Sequence, residues 1–181
     1  MMFSHQSFIT SDTDLTSLLK RCNKCYQCID EGKLIVSYNE IPSLLLNTNR
    51  KKICVIINTN RVDDHSDSVS GVGHWLLCCF DTQLKHALIY DSLNNLKKDH
   101  QNVLNTLTNY CKLHNFSFSI VQGVTQQKES LICGFIVAYF VHIFHSATPH
   151  KLIQLCKVFD KCNTENVEVH IMKSACTFFK T

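Results

Sequence analysis

The chain has 181 residues, a formal net charge of +3, 45% apolar residues and 18% charged residues. That balance fits one globular domain, 1–181, with enough apolar side chain for a real core, and it excludes a disordered, collagenous or strongly nucleic-acid-like composition. No run of about 18 apolar residues occurs, so no membrane-spanning helix is expected. The opening MMFSHQSFITSDTD lacks a basic stretch followed by an apolar one, so it is not read as a secretory leader. The 11 cysteines are therefore expected to be mostly reduced thiols.

In chain order, Ser11, Asp12, Thr13 and Asp14 offer helix-capping oxygens ahead of Leu15, Leu18 and Leu19, which predicts a helix over 12–21. Cys22, Cys25 and Cys28 follow as C-x2-C-x2-C. Three thiols at that spacing suit a zinc or iron–sulfur site, but no fourth ligand stands close by in sequence. Their spacing of three also continues a helical face, so they are read as packing residues and no metal site is assigned. KLIVSY (33–38) reads as extended, 41–46 is left open between helix and strand, and KKICVIINT (51–59) is a buried strand.

Residues 60–73 are polar and read as a loop. HWLLCCFD (74–81) and HALIYD (86–91) are separated by four residues, the pattern of an antiparallel hairpin. Cys78 and Cys79 then point to opposite faces. Asn94 or Asn95 caps a helix running to about 113, with Leu96, Val103, Leu107, Tyr110 and Cys111 on one stripe. FSFSIV (116–121) alternates as a strand, 122–132 is a loop, and a long apolar helix runs from 133 to 146. Pro149 opens another helix over 149–158, and the tail 167–179 is left unassigned. The class is α+β, with helices before and after a central mixed or antiparallel sheet.

Four groups in this order suit nucleophilic catalysis, which needs a thiolate, a base, a group that orients the base, and an oxyanion donor. Cys133 opens the apolar helix, where unpaired amides and the helix dipole favour a thiolate, and Gly134 beside it lets a substrate backbone approach. A buried packing thiol is the competing reading of Cys133 alone. His74 stands at a loop–strand edge beside Trp75, which could wall a substrate groove. Asp91 comes 17 residues later, at the end of the partner strand. In a hairpin, residue 74 faces residues near 91, at roughly 5 Å between antiparallel neighbours. Asp91 could equally cap the turn that follows it. Gln126 or Gln127, in TQQKESLICG, could donate to the oxyanion together with the Cys133 amide.

These residues, Gly73-His74-Trp75, Asp91, and Gln126 to Gly134 as Q-x-x-x-S-x-x-C-G, together with AYFVHIF and CVIINTNR, resemble the adenovirus-type cysteine proteases (adenain). That family is related to the proteases acting on ubiquitin-like proteins. The resemblance covers roughly 53–148. It implies an adenain-like α+β fold with the nucleophile helix packed beside the sheet. It also implies His74 as general base, Asp91 as orienter, Gln126 as oxyanion donor and Cys133 as nucleophile. Asp91 stands where adenoviral enzymes commonly have glutamate; the ubiquitin-like branch uses aspartate. The Ser130 spacing favours Gln126, the other branch's spacing favours Gln127, and the VQG triplet favours Gln122 only with an insertion. The function it implies is a viral maturation protease, monomeric, located in the virion and host nucleus or cytosol. Such an enzyme cleaves precursor proteins beside small residues such as glycine. The alternatives are a ubiquitin or ubiquitin-like modifier protease and an inactive binding module. An activating viral peptide, disulfide-linked to a cysteine, and DNA are the cofactors and partners the resemblance suggests; the position of that cysteine is Cys111 if the VQG triplets are aligned and Asn115 if the nucleophiles are. His142 and His145, on the nucleophile helix, are read as packing or surface residues.

Overall fold

A computed structural model describes residues 12–59, 74–121 and 132–179. The expected loops at 60–73 and 122–131 lie outside them. The chain begins with α1 (Asp12–Lys20) and α2 (Asn23–Cys28). After them come β1 (Ile35–Ser37), a 3₁₀ segment (Tyr38–Ser43), β2 (Lys52–Asn58), β3 (Trp75–Asp81) and β4 (His86–Tyr90). Then follow α3 (Leu96–Asp99), α4 (Gln101–Leu113), β5 (Ser117–Val121), α5 (Cys133–Ser146), α6 (Pro149–Asp160) and α7 (Thr164–Phe178). Among the described residues no helix is long and apolar enough to cross a membrane.

The strands form one mixed sheet in the order β1-β2-β3-β4-β5. β2, β3 and β4 are antiparallel neighbours, and the short edge strands β1 and β5 run parallel to β2 and β4. The central strands read as unbroken apolar runs because both of their faces are covered. One face, through Cys54, Ile56, Trp75, Leu77, Cys79, Leu88 and Tyr90, packs under α5, with α1, α2, α6 and α7 around it. The other, through Ile53, Val55, Ile57, Leu76, Cys78, Ala87 and Ile89, packs against α4 and the 3₁₀ segment. Cys78 and Cys79 thus enter different cores. The four-residue turn between β3 and β4 is closed by Asp81, whose Oδ1 accepts the Gln83 and Leu84 amides at 3.1 and 3.0 Å.

Three features depart from the sequence expectations. Cys22 does not continue α1: it takes an extended backbone (φ −121°, ψ 100°) at the head of a separate α2. The helix expected from about 94 to 113 is interrupted at His100, which leaves helical geometry (φ −128°, ψ 40°). The tail is the helix α7, capped by the Asn163 side chain, which accepts the Glu165 and Asn166 amides. Val-Glu-Val-His-Ile alternates with period two like a strand, yet Val167, Ile171 and Ala175, spaced by four, are the residues buried. Cys111 is wholly buried and hydrogen-bonded to Cys78.

α5 is apolar nearly all round because it is enclosed by the sheet and by helices. Its C-terminal carbonyls are met by Lys52 of β2, whose ammonium donates to the carbonyls of Phe144 (2.8 Å), His145 (3.2 Å) and Ala147. A cation there also opposes the negative end of the helix dipole. Burial lowers the Lys52 pKa. Charged hydrogen bonds of this kind contribute about 1.5–3 kcal/mol. Lys52→Met should therefore destabilise the protein by about 2 kcal/mol in urea denaturation, whereas Lys51→Met, at an exposed position, should stay within about 0.5 kcal/mol of the wild type.

Candidate active site

β3 and β4 bring the first two groups together. Leu77 faces Tyr90, so the register sets Asp91, just past β4, opposite Leu76. His74, two residues before Leu76, lies diagonally across the hairpin on the same side. Its backbone is held in place by Thr59: the His74 amide donates to Thr59 Oγ1 at 3.1 Å, and the Thr59 amide donates to the His74 carbonyl at 3.0 Å.

Asp91 is 1% exposed and fully engaged. Its Oδ1 lies 2.7 Å from His74 Nε2 and accepts the Leu93 amide at 2.9 Å, while Oδ2 accepts the Asn95 amide at 2.6 Å. Asp91 both caps its turn and binds the imidazole. The turn supplies the amides that fix the carboxylate, and Asn94 takes the left-handed conformation (φ 54°) that the turn requires. Burial opposes the Asp91 charge, but His74 and the two amides outweigh it and hold its pKa below the usual carboxylate value.

Cys133 is the first residue of α5 and is 6% exposed. Ile132 at the N-cap offers no capping oxygen, so the first amides of the helix are left for the thiol and whatever it binds. The Cys133 thiol lies near enough to His74 to raise its pKa. With Nε2 taken by Asp91, Nδ1 is the ring nitrogen left for another partner. For His74, burial works against the imidazolium, but Asp91 and Cys133 together push its pKa up to about 9. The three groups form a chain carboxylate–imidazole–thiol, poised to hold the proton on the ring.

A fourth residue was not singled out from the sequence. His100, at the break between α3 and α4, stacks on His74 with ring centroids 6.0 Å apart and planes 17° from parallel. Burial, then the neighbouring His74 charge, lowers its pKa, so it stays neutral beside the imidazolium. A single missed helix break was the signal that could have drawn attention to it. Trp75 opens β3 within the core on the α5 side of the sheet: it has no exposed surface, and its indole N–H has no partner among the described residues. Gly134 is buried in the first turn of α5. Gln122, Gln126 and Gln127 lie outside the described residues.

The chain belongs to the Ulp1 protease family: residues 3–174 match the model of that family's C-terminal catalytic domain. It is thus a cysteine protease of the ubiquitin-like-protease superfamily, within which the adenain resemblance also falls. Three solved structures share the fold at low identity. The Chlamydia abortus effector protein ChlaDUB is 11% identical, with a TM-score of 0.68 over 93% of this chain and 91% of that one. The Chlamydia trachomatis effector protein Cdu1, bound to ubiquitin, is 14% identical, with a TM-score of 0.54 over 93% and 79%. The SUMO protease Ulp1, with its catalytic cysteine oxidised to a sulfinic acid, is 17% identical, with a TM-score of 0.50 over 94% and 77%. No curated protein matches the chain in sequence at a significant level.

The raised His74 pKa sets a pH dependence. A group whose folded pKa exceeds its unfolded value contributes stability that is complete below about 6.5 and is lost as pH rises through the folded value. Unfolding free energy should fall by on the order of 3 kcal/mol between pH 6.5 and just above 9, the range set by the shift of His74. Asp91→Asn should flatten that slope, as read by denaturation at a series of pH values.

Proposed function

We propose that this protease cleaves after the C-terminal glycine of ubiquitin or a ubiquitin-like modifier, with Cys133 as nucleophile, His74 as base and Asp91 as the group that orients it. The observation that carries the assignment is the 2.7 Å contact of Asp91 with His74 Nε2, which leaves the other ring nitrogen free to serve the nearby Cys133 thiol. The substrate class is supported by the family match and by fold relatives described as a ubiquitin-bound effector and a SUMO protease.

In this reading His74 takes the thiol proton and the Cys133 thiolate attacks the carbonyl carbon of the modifier's last residue. The negative charge moves to the carbonyl oxygen, where the Cys133 amide and a glutamine side chain donate to it. The imidazolium of His74 then protonates the leaving amine, the C–N bond breaks, and a thioester remains on Cys133. Water, deprotonated by His74, attacks the thioester and returns the thiol. Asp91 stabilises the imidazolium in both halves. The Ulp1 branch spacing, six residues before the nucleophile, favours Gln127 as the donor over Gln126. A maturation protease for viral precursors is the second reading, favoured by the adenain-like spacing of Gln126, Ser130 and Cys133.

A glycine-terminated ubiquitin or SUMO carrying a C-terminal electrophile should form an adduct on Cys133, located by mass spectrometry, and the adduct should vanish in Cys133→Ala. His74→Ala should slow it by about 10³-fold or more, and the glutamine that donates should cost about 10²–10³ in kcat when changed to alanine. Rapid cleavage of small-residue precursor peptides, with no reaction toward either modifier, would transfer the assignment to the second reading.

A further inference from the structure

The cysteines nearest the N-terminus meet the nucleophile helix far from the catalytic groups. Cys22, at the head of α2, and Cys25, one turn on, aim their sulfurs at the imidazole of His142, nine residues beyond Cys133 in α5. His142 Nδ1 lies 3.7 Å from Cys22 Sγ and 3.5 Å from Cys25 Sγ, and the two sulfurs are 2.9 Å apart. All three ligand atoms fall within 4.8 Å of one another. Around tetrahedral zinc, with about 2.3 Å to sulfur and about 2.05 Å to nitrogen, a sulfur–nitrogen edge measures about 3.6 Å. Both observed sulfur–nitrogen distances match that edge. The sulfur–sulfur edge would be about 3.8 Å, so the thiols must part by about 1 Å, which a small rotation of the half-exposed Cys22 supplies.

The surroundings also suit a metal. The His142 ring is clamped by Phe178 of α7, stacked at 4.0 Å between centroids and 16° between planes, so its orientation is set before any ion arrives. Burial, then Cys22, raises the Cys25 thiol pKa; a bound cation would reverse that and displace the protons from both thiols. Cys22 and His142 retain solvent access, so a water can complete the fourth position. One turn further on, Cys28 Sγ meets His145 Nδ1 at 3.6 Å, so a second thiol–imidazole contact runs beside the first.

We propose that Cys22, Cys25 and His142 bind a thiophilic divalent ion, zinc by its ligand set and edge lengths, that staples the α1–α2 segment to the nucleophile helix. Soft thiolates with imidazole select such ions over magnesium or calcium. The ion would be structural, since it shares no ligand with the groups that act on substrate.

The test uses the full chain in a Cys133→Ala background, so that the nucleophile cannot serve as a ligand, kept reduced and free of chelator. Zinc content is measured by elemental mass spectrometry, and Co²⁺ is the spectroscopic probe. The expected result is about one zinc per chain and a thiolate-to-cobalt charge-transfer band. Cys22→Ser and His142→Gln should each weaken binding by more than about tenfold, while Cys162→Ser, at an exposed cysteine elsewhere, should leave it unchanged. Zinc should raise the melting temperature of the parent and not of Cys22→Ser. Sub-stoichiometric zinc, or binding retained in both ligand variants, would overturn the proposal. So would a Cys22–Cys25 disulfide forming in the presence of reductant, which would assign the pair to thiol–disulfide exchange.

Discussion

Asp91 is the point on which the site depends. Its carboxylate is buried, and a buried charge is costly unless every lone pair is used. Here the Leu93 and Asn95 amides and the His74 ring use them. The same contacts close the turn after β4, select the His74 tautomer and keep the proton on the ring. Loss of the imidazole would leave a carboxylate under-satisfied in the interior, and loss of the carboxylate would release both the turn and the ring. The chemistry therefore inherits its geometry from a structural requirement of the hairpin.

Much of this was legible in sequence because it follows from local periodicity. A four-residue gap between two apolar runs implied the hairpin, and strand pairing then set residues 74 and 91 on one side of it. The two readings of Asp91, turn cap and imidazole partner, proved to be one arrangement. The apolar stretch after Cys133 implied an enclosed helix, which the structure places between the sheet and the helices α1, α2 and α7. What local patterns hid was tertiary. Nothing in the run KKICVIINT marks Lys52, yet its ammonium reaches carbonyls 92 to 95 residues away. His142 and His145 read as packing residues because their sulfur partners stand 117 to 120 positions earlier. α7 was obscured by a chance alternation that mimics a strand, and the two adjacent glutamines differ by a single position that spacing alone resolves only once the branch of the family is known.

The cysteine inventory acquires a division of labour. Burial raises the pKa of Cys54, Cys78, Cys79 and Cys156, the last to about 12, so these thiols stay protonated and behave as small apolar side chains. Cys54 and Cys79 lie 3.6 Å apart across β2 and β3, in contact but unbonded. Cys133 combines the N-terminus of the long helix α5 with His74, an imidazole that is itself held by a carboxylate. Buried packing thiols of this kind stand apart from Cys133, at the head of α5, and from Cys22 and Cys162, which keep solvent access.

The two halves of the candidate site arrive at different times. His74 and Asp91 come together through a hairpin whose closure is local, but the thiol is carried by a helix that packs on the opposite face of the sheet and is itself enclosed by later helices. A chain emerging in order from the ribosome holds the proposed base and its orienting carboxylate before the proposed nucleophile, which is seated only once the α5 layer has docked. Under the proposed assignment, hydrolytic competence is a late event in synthesis, and an unfinished copy lacking α5 would be inert toward neighbouring nascent chains.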